Sequence, residues 1–398
     1  MKFEVNRLIM LEAAKTTAKI APSNAHTDVL NGILVECSDD TGEVFLTATN
    51  HEVAIQQKVI ASVKESGTML INARMLVGMM SLLAGEFVTL SADRPDLLTA
   101  TSGRSRYQIN CLPATGYPNP IMPFPEESVF MTGICSLAKR TTFLVSTDER
   151  KPALQCVNIK LKNNAVHAAA SDGLRMMLIK DSSDSTEERE FLLPGYSLKM
   201  LASISEDSDM FEVGDIGKHV VFVRGDMIFT IRKLTTDTYM DTSALIKRVN
   251  PVYSAVTEAG KMKEALGLIS VGALAGKTHA PINLAMLGNE IALSCKTDLN
   301  EGSAIVPANV SRETPESGFF YDVTALLKLF NVLSGKVKLE LDAKGFIMIK
   351  TRNEVYLQSP IPPNAVNVIN ELNAKYAKPT KDKESAKGAE GVKKEKAA

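Results

Sequence analysis

The same order of elements is written three times along the chain, and this repetition restricts the fold more than any other feature of the sequence. Three segments read as one apolar strand: Val29–Val35, Ala153–Ile159 and Ala280–Met286. A polar turn and a second strand follow each, over Val44–Val53, Ala165–Lys180 and Glu290–Val306. A short strand then runs into an amphipathic helix: Met69–Ile71 into Ala73–Leu83, Phe191–Leu193 into Ser197–Ile204, and Phe319–Tyr321 into Val323–Leu333. Alternating hairpins close the copies at Phe87–Leu112, His219–Leu234 and Val337–Pro360, with turn residues such as Arg224-Gly225-Asp226 where a hairpin needs them. A helical pattern opens each copy, at Asn6–Ile20, Ser136–Thr147 and Lys261–Ala275.

The first strands are offset by about 124 and 128 residues, counted from Leu30, Leu154 and Ile282. The expectation is an α+β chain of three tandem domains, each with two helices packed on antiparallel sheets. Boundaries are expected near 125, 249 and 365, so that the domains are 1–125, 126–249 and 250–365. Residues 366–398 hold eight lysines and five acids, with almost no large apolar residue after Leu372. That composition cannot bury enough surface to order itself, so a flexible tail with at most a short helix near 366–376 is expected.

Charge is the second constraint. The chain has a formal net charge of −1, which does not favour nucleic acid by itself. The distribution does. Counted over 6–20, 72–84, 136–147, 195–204, 261–275 and 322–334, the six expected helices carry Arg7, Lys15, Lys19, Arg74, Lys139, Arg140, Lys199, Lys261, Lys263 and Lys328 against Glu12, Glu264 and Asp322, a balance of +7 that leaves −8 for everything else. On the first helix Arg7, Leu11, Lys15 and Lys19 form one i, i+4 row. Any one lysine is more often a solvated helix face; the set reads as a common cationic surface. Duplex DNA bound without regard to sequence needs only such phosphate-neutralising groups.

Catalytic signatures are missing. There is no P-loop and no GxSxG elbow, and the five histidines never fall at i, i+3 or i, i+4. Cys156 with His167 is the one nucleophile–base pair worth weighing, and packing in a strand is the better reading of Cys156. No cofactor and no metal are expected. Five scattered cysteines argue against a disulfide framework and fit a reducing cytoplasm. No run of eighteen apolar residues and no secretory pattern at Met1–Val5 are present, so no membrane association is expected.

Several motifs together resemble a family. Met1-Lys2-Phe3, Ser102–Tyr107 with Leu112-Pro113 and Tyr117-Pro118-Asn119, Asp148–Pro152 before Leu154, Ser171–Met176, and Gly225–Phe229 followed by Tyr239 and Asp241 are similar to signatures of the bacterial DNA polymerase III beta subunits, the sliding clamps. The resemblance covers about 1–363. It implies two chains of three domains joined head to tail into a six-domain ring, with helices lining the hole. Such a ring has no active site; it tethers the polymerase to double-stranded DNA and is opened by an ATP-driven loader.

The resemblance also implies a groove between the second and third domains for short linear peptides of the polymerase and loader. The matching positions are Leu154, Ser171, Gly173, Leu174, Arg175, Met176, Met240, Leu245, Leu357, Ser359, Pro360 and Ile361. It places Arg104 and Arg106 at a homodimer interface opposite Leu274, Asp298 and Glu301. The chain departs from the family at Met240 and Ala244, where Pro and Arg are usual, at Asn24, at Pro152 and Ala153, and in its tail. A clamp-like module that binds such peptides as a monomer, without encircling DNA, is the alternative; an enzyme with a dispersed site is a distant third.

Overall fold

The computed structural model describes residues 1–22, 28–120, 122–183, 187–274, 280–297, 300–367 and 369. The first copy of the repeat begins with β1 (Lys2–Asn6) and α1 (Arg7–Ala18). It continues through β2 (Gly32–Ser38), β3 (Glu43–Thr49), β4 (Val53–Ile60), β5 (Ser62–Glu65) and β6 (Gly67–Asn72). It closes with α2 (Ala73–Leu82), β7 (Phe87–Arg94), β8 (Leu97–Ser102) and β9 (Ser105–Asn110). The second copy holds β10 (Ser128–Met131), α3 (Ile134–Thr141), β11 (Cys156–Lys162), β12 (Ala165–Ser171) and β13 (Arg175–Ser182). After these come β14 (Arg189–Pro194), α4 (Gly195–Ser203), β15 (Phe211–Ile216), β16 (His219–Arg224) and β17 (Met227–Arg232). A connecting helix α5 (Thr242–Arg248) leads to the third copy: β18 (Pro251–Glu258), α6 (Ala259–Ala273), β19 (Ile282–Leu287), β20 (Glu290–Lys296) and β21 (Glu301–Pro307). The chain then forms β22 (Asn309–Arg312), β23 (Phe319–Tyr321), α7 (Val323–Val332), β24 (Lys336–Asp342), β25 (Ile347–Lys350) and β26 (Glu354–Gln358).

Two compact units result, Met1–Asp241 and a second beginning at Thr242. The first two copies share one unit because their strands share one sheet. In that unit β5-β1-β7-β8-β9 form a five-stranded sheet and β10-β15-β16-β17-β4-β3-β2-β6 an eight-stranded one. The join in the larger sheet is β17 on β4, antiparallel from Met227↔Gln57 to Ile231↔Val53. The strands β14-β11-β12-β13 make a further antiparallel set. In the second unit β26-β25-β24-β18-β22 and β21-β20-β19-β23 repeat the two half-sheets of a single copy.

Local chemistry starts the helices where the sequence pattern places them. Asn6 caps α1 by accepting from the amides of Leu8 and Ile9 at 3.0 and 3.3 Å, and Asn72 caps α2 through Met75 at 3.2 Å. Asp322 does the same for α7, accepting from Thr324 at 2.8 Å. Between helices and sheets of the first copy lies a core that includes Phe3, Met10, Leu46, Leu76 and Leu90, all fully buried. No helix among the described residues is long and apolar enough to cross a membrane.

The structure corrects the expected elements in several places. Val29–Asn31 and Ala153–Gln155 lie in 3₁₀ turns, Asp28–Asn31 and Pro152–Gln155, and the strands begin only at Gly32 and Cys156. Pro152 accounts for the second case, because it sets φ for a turn and offers no amide to a ladder. The expected second strand Val44–Val53 is one strand and the turn to the next, Ala165–Lys180 is two strands with a tight turn at Ser171–Arg175, and Glu290–Val306 is two strands. The closing hairpins are three-stranded in every copy, and the helix expected at 136–147 ends at Thr141 with one 3₁₀ turn after it. Helix α5 was not foreseen: it buries no residue, so it has no apolar periodicity to read.

Candidate nucleic-acid interface and partner site

In each copy two helices pack together, α1 with α2, α3 with α4 and α6 with α7. Their outward faces carry most of the expected cations. Lys15, Lys19, Arg74, Lys139 and Lys199 are exposed in the first unit, and Lys261, Lys263 and Lys328 in the second. Two members of the set are engaged inside the fold. The Arg7 guanidinium donates from Nε to the Gly85 carbonyl and from Nη1 to the Met80 carbonyl, each at 3.0 Å, fastening the start of α1 to the end of α2. Arg140 is largely buried and forms an ion pair with Asp181. The row read on α1 is also divided: Leu11 is buried, and the exposed row is Leu8, Glu12, Lys15 and Lys19. Lys15 pairs with Glu12 at 2.9 Å, and Lys19 donates to the Ser203 carbonyl at the end of α4, at 2.6 Å.

One feature of these helices is unfavourable for stability alone. Arg7 opens α1, Arg74 is the second residue of α2 and Lys261 the third of α6, and no first turn of these helices holds an acid. A cation at a helix N-terminus opposes the macrodipole, an effect of about 0.3–1 kcal/mol at an exposed site. Arg7 is compensated by its two carbonyls. Arg74 and Lys261 stand exposed at a positive helix end, an arrangement suited to meeting an anion.

The ends of two sheets form a second feature. Strand β9 ends the five-stranded sheet, and four of its residues, Ser105–Gln108, are exposed on both faces. Arg106 and Tyr107 lie on it, and Arg104 stands in the turn before it. In the second unit β21 ends its four-stranded set and exposes Glu301, Ser303 and Ile305. Leu274 follows α6, whose surface also presents Leu268 and Val271. Asp298 lies outside the described residues. The sequence motifs include Tyr107 but not Leu268, Val271 or Ile305. The signal available was the apolar residue standing where β21 alternation calls for a polar one.

The third feature is the loop joining β12 to β13. Ser171 Oγ donates to the Arg175 carbonyl at 2.7 Å and accepts from the Gly173 amide at 3.1 Å. Asp172 Oδ1 accepts from the amides of Leu174 and Arg175 at 2.9 and 2.8 Å, and its Oδ2 takes the Arg175 guanidinium at 2.7 Å. Gly173 sits at φ +94°, in the left-handed region that only glycine enters without strain. Leu154 packs on it, with Cδ1 3.6 Å from where a Cβ would stand. This rigid turn holds Leu174 out at 71% exposure. Met240 packs against a small buried cluster of Cys156, Ala169, Leu192 and Tyr239. Met176 is buried in β13 and is not presented.

Of the expected groove residues in the second unit, Leu245 lies half-buried on α5 and Leu357 half-buried on β26. Ser359, Pro360 and Ile361 follow that strand, and the Ile361 amide is tied to the Phe320 carbonyl at 2.7 Å. Cys156 and His167 make no catalytic arrangement. The Cys156 Sγ faces the Pro152 carbonyl at 3.5 Å, and burial, with Asp237 and Glu52 nearby, pushes its thiol up to about 12. His167 stands opposite Lys160 and Lys180 in the ladder, where burial and then those two cations lower its pKa.

Comparison with known proteins adds the following. Residues 1–121 match the DNA polymerase III beta subunit, N-terminal domain, and residues 131–239 match the DNA polymerase III beta subunit, central domain. The Beta sliding clamp of Bacillus subtilis (strain 168) is 27% identical over 261 residues, covering 62% of this chain and 68% of that protein. The Beta sliding clamp of Staphylococcus aureus (strain N315) is 25% identical over 260 residues, covering 62% and 67%. Among solved structures, the DNA polymerase sliding clamp from Bacillus subtilis aligns with a TM-score of 0.81 at 22% identity, over 91% of this chain and 99% of that one. The DNA polymerase III subunit beta from Pseudomonas aeruginosa aligns with a TM-score of 0.81 at 18% identity, over 91% and 100%. Coverage of that extent includes most of the residues beyond 239, so the third copy shares the fold as well.

Proposed function

The chain belongs to the DNA polymerase III beta subunit family, and from that membership we propose that it works as a non-catalytic sliding clamp, a ring of two copies that encloses duplex DNA and tethers a polymerase. The observation that carries the reading is the β17–β4 ladder. It joins the last strand of one copy of the repeat to the fourth strand of another. In the first copy the last strand is β9; in the third copy the fourth strand is β21; each ends its sheet. The same pairing made between two chains would join β9 of one to β21 of its partner, and made twice it closes a symmetric dimer. Arg104 and Arg106 would then face Glu301, with Tyr107 against Ile305 and Leu274 as the apolar part.

Within such a ring the exposed cations of the helices face phosphates. Lys15, Lys19, Arg74, Lys139, Lys199, Lys261, Lys263 and Lys328 supply charge without any device for reading bases, which suits a protein that must slide. Arg7 and Arg140 serve this surface less directly, since their guanidinium groups are bound within the fold. Leu174, held out by its hydrogen-bonded turn with Leu154 packed on Gly173, is the apolar contact for a short linear peptide of the polymerase or of an ATP-driven loader. Its five cysteines are all free thiols, as suits a cytoplasmic protein.

Light scattering across a dilution series tests the reading. A mass near twice 43.1 kDa that persists on dilution, with retention on circular but not linear DNA, is expected. A stable monomer would overturn the ring and favour a module that binds partner peptides alone.

A further inference from the structure

The repeat supplies its own comparison for the surface at the start of α1. Leu8 and Ile9 stand in the opening turn of that helix at 58% and 57% exposure, and Phe87, the first residue of β7, at 52%. The three are neighbours: Asn6 accepts from the Leu8 and Ile9 amides and lies directly across the ladder from Phe87. The third copy has the same frame. Glu258 precedes α6 and lies across from Lys336, and the Ala259 amide donates to the Gly335 carbonyl as the Arg7 amide does to that of Glu86. The corresponding residues there are Gly260, Lys261 and Lys336, all exposed. In the second copy, buried Met10, Leu11 and Ala14 of α1 match Ile134, Cys135 and Ala138 of α3. That register sets Thr132 and Gly133 at the places of Leu8 and Ile9, and Glu212, across from Phe130, at that of Phe87. Two copies thus fill these surface positions with small, polar or charged residues, and one fills them with large apolar ones. The fold of the repeat does not require the apolar set, and a contiguous apolar patch with a polar rim marks an interaction site.

On the ring reading above, assembly leaves this surface open. The second copy makes through β17 the joint that β9 makes between chains, and its Thr132 stays exposed. Residues 23–27 follow the far end of α1, about 18 Å along its axis. The rim is acidic: Glu4 lies on the same face of β1 as Asn6, Glu86 adjoins Phe87, and Glu12 is one turn along α1 from Leu8. Glu12 is held by Lys15, whereas Glu4 and Glu86 enter no ion pair among the described residues. Arg7 is occupied by the carbonyls of Met80 and Gly85. Arg104, in the turn after Ser102, belongs to the proposed joint between chains. These charges decide what fits. A second copy docked on the patch about a two-fold axis would set Glu4 and Glu86 against their own counterparts, and an anionic lipid surface would be repelled.

We propose that Leu8, Ile9 and Phe87 form a second partner site, which takes a basic amphipathic helix of another protein. The apolar face of that helix covers the three side chains, and its flanking lysines or arginines meet Glu4 and Glu86. Anchors at i, i+3 and i+4 supply the affinity, and the charges the orientation. The site shares no residue with the Leu174 loop or with β9.

The test uses the full-length chain and a fluorescein-labelled peptide of four Lys-Leu-Leu-Lys repeats, followed by anisotropy. Saturable binding is expected. The pair Ile9→Lys with Phe87→Lys, which brings in the side chain that the third copy carries as Lys261 and Lys336, is expected to weaken it tenfold or more. The pair Glu4→Lys with Glu86→Lys is expected to do the same. Ile60→Lys, at an equally exposed apolar residue of the first copy, is expected to leave it unchanged. Circular dichroism checks that these surface substitutions leave the fold intact. No saturable binding to the unaltered chain, or equal binding to the Ile9→Lys, Phe87→Lys chain, would overturn the proposal. So would an equal loss in Ile60→Lys, the mark of general apolar adsorption. Binding that appears only once residues 370–398 are removed would make the chain's own end the occupant. A fall in solution mass in the Ile9→Lys, Phe87→Lys chain would make a second copy the occupant, and either result sinks the proposal.

Discussion

Leu174 and Met176 are two residues apart, and they do opposite things. Leu174 is thrust into solvent by a turn whose polar groups Ser171 and Asp172 bond internally, whereas Met176 is almost fully buried. Leu174→Asp is therefore expected to weaken a partner peptide at least tenfold in calorimetry and to leave dimer mass and melting temperature unchanged. Met176→Asp would bury an unpaired carboxylate and cost several kcal/mol of stability, so it cannot report on binding alone. Gly173→Ala forces a Cβ into the left-handed region, with an expected loss of about 1–2 kcal/mol in urea unfolding. His167 and His219 give a residue-level dependence on pH. Burial first, then Lys180 and Lys160 for one and Arg232 and Lys218 for the other, lower both pKa values in the folded chain. The unfolded chain then binds more protons just below its ordinary histidine pKa, so stability is complete above about pH 6.5 and declines as pH falls from there toward the folded values. A melting temperature that drops between pH 7 and 5.5, by less in His167→Gln, is the expected result.

At the scale of elements, the helices were legible because capping residues and apolar periodicity agree: Asn6, Asn72 and Asp322 each stand one residue before a helix. The strand boundaries were less so. Val29–Asn31 and Ala153–Gln155 are as apolar as a strand, and nothing in their composition separates a 3₁₀ turn from one; only Pro152 gave a local hint. The cationic helix surface was legible as a sum of charges, but not which members it excludes. Arg7 and Arg140 differ from their neighbours only in the carbonyls and the carboxylate that the fold brings to them. Arg7→Ala is expected to loosen α1 from α2 and cost about 1.5–3 kcal/mol, since charged hydrogen bonds to two carbonyls are lost. Lys199→Ala, on an exposed helix face, is expected to leave urea unfolding unchanged and to lower the salt dependence of DNA retention by about one counterion.

At the scale of the whole molecule, the threefold repeat predicted the order of elements, but not that the first two copies would share a sheet. The β17–β4 ladder is a backbone event, and neither strand advertises its neighbour in side chains. The same limit applies to the proposed interface: resemblance alone names Arg104, Arg106 and Glu301, while Ile305 joins them only because β21 ends its sheet. Ile305→Asp is expected to halve the solution mass in light scattering. Arg106→Glu is expected to do so as well, and Glu301→Arg to restore the dimer when the two are combined.

The β17–β4 ladder also bears on how such a chain can change over generations. Its bonds run between peptide groups, so beyond an extended backbone and apolar bulk at the buried Val53, Ile55, Phe229 and Ile231 the joint asks for no particular residue. Selection on that joint is correspondingly lenient. Substitutions can accumulate on both sides without parting the copies, and lineages can come to share the architecture at the 22% identity this chain has with a solved clamp.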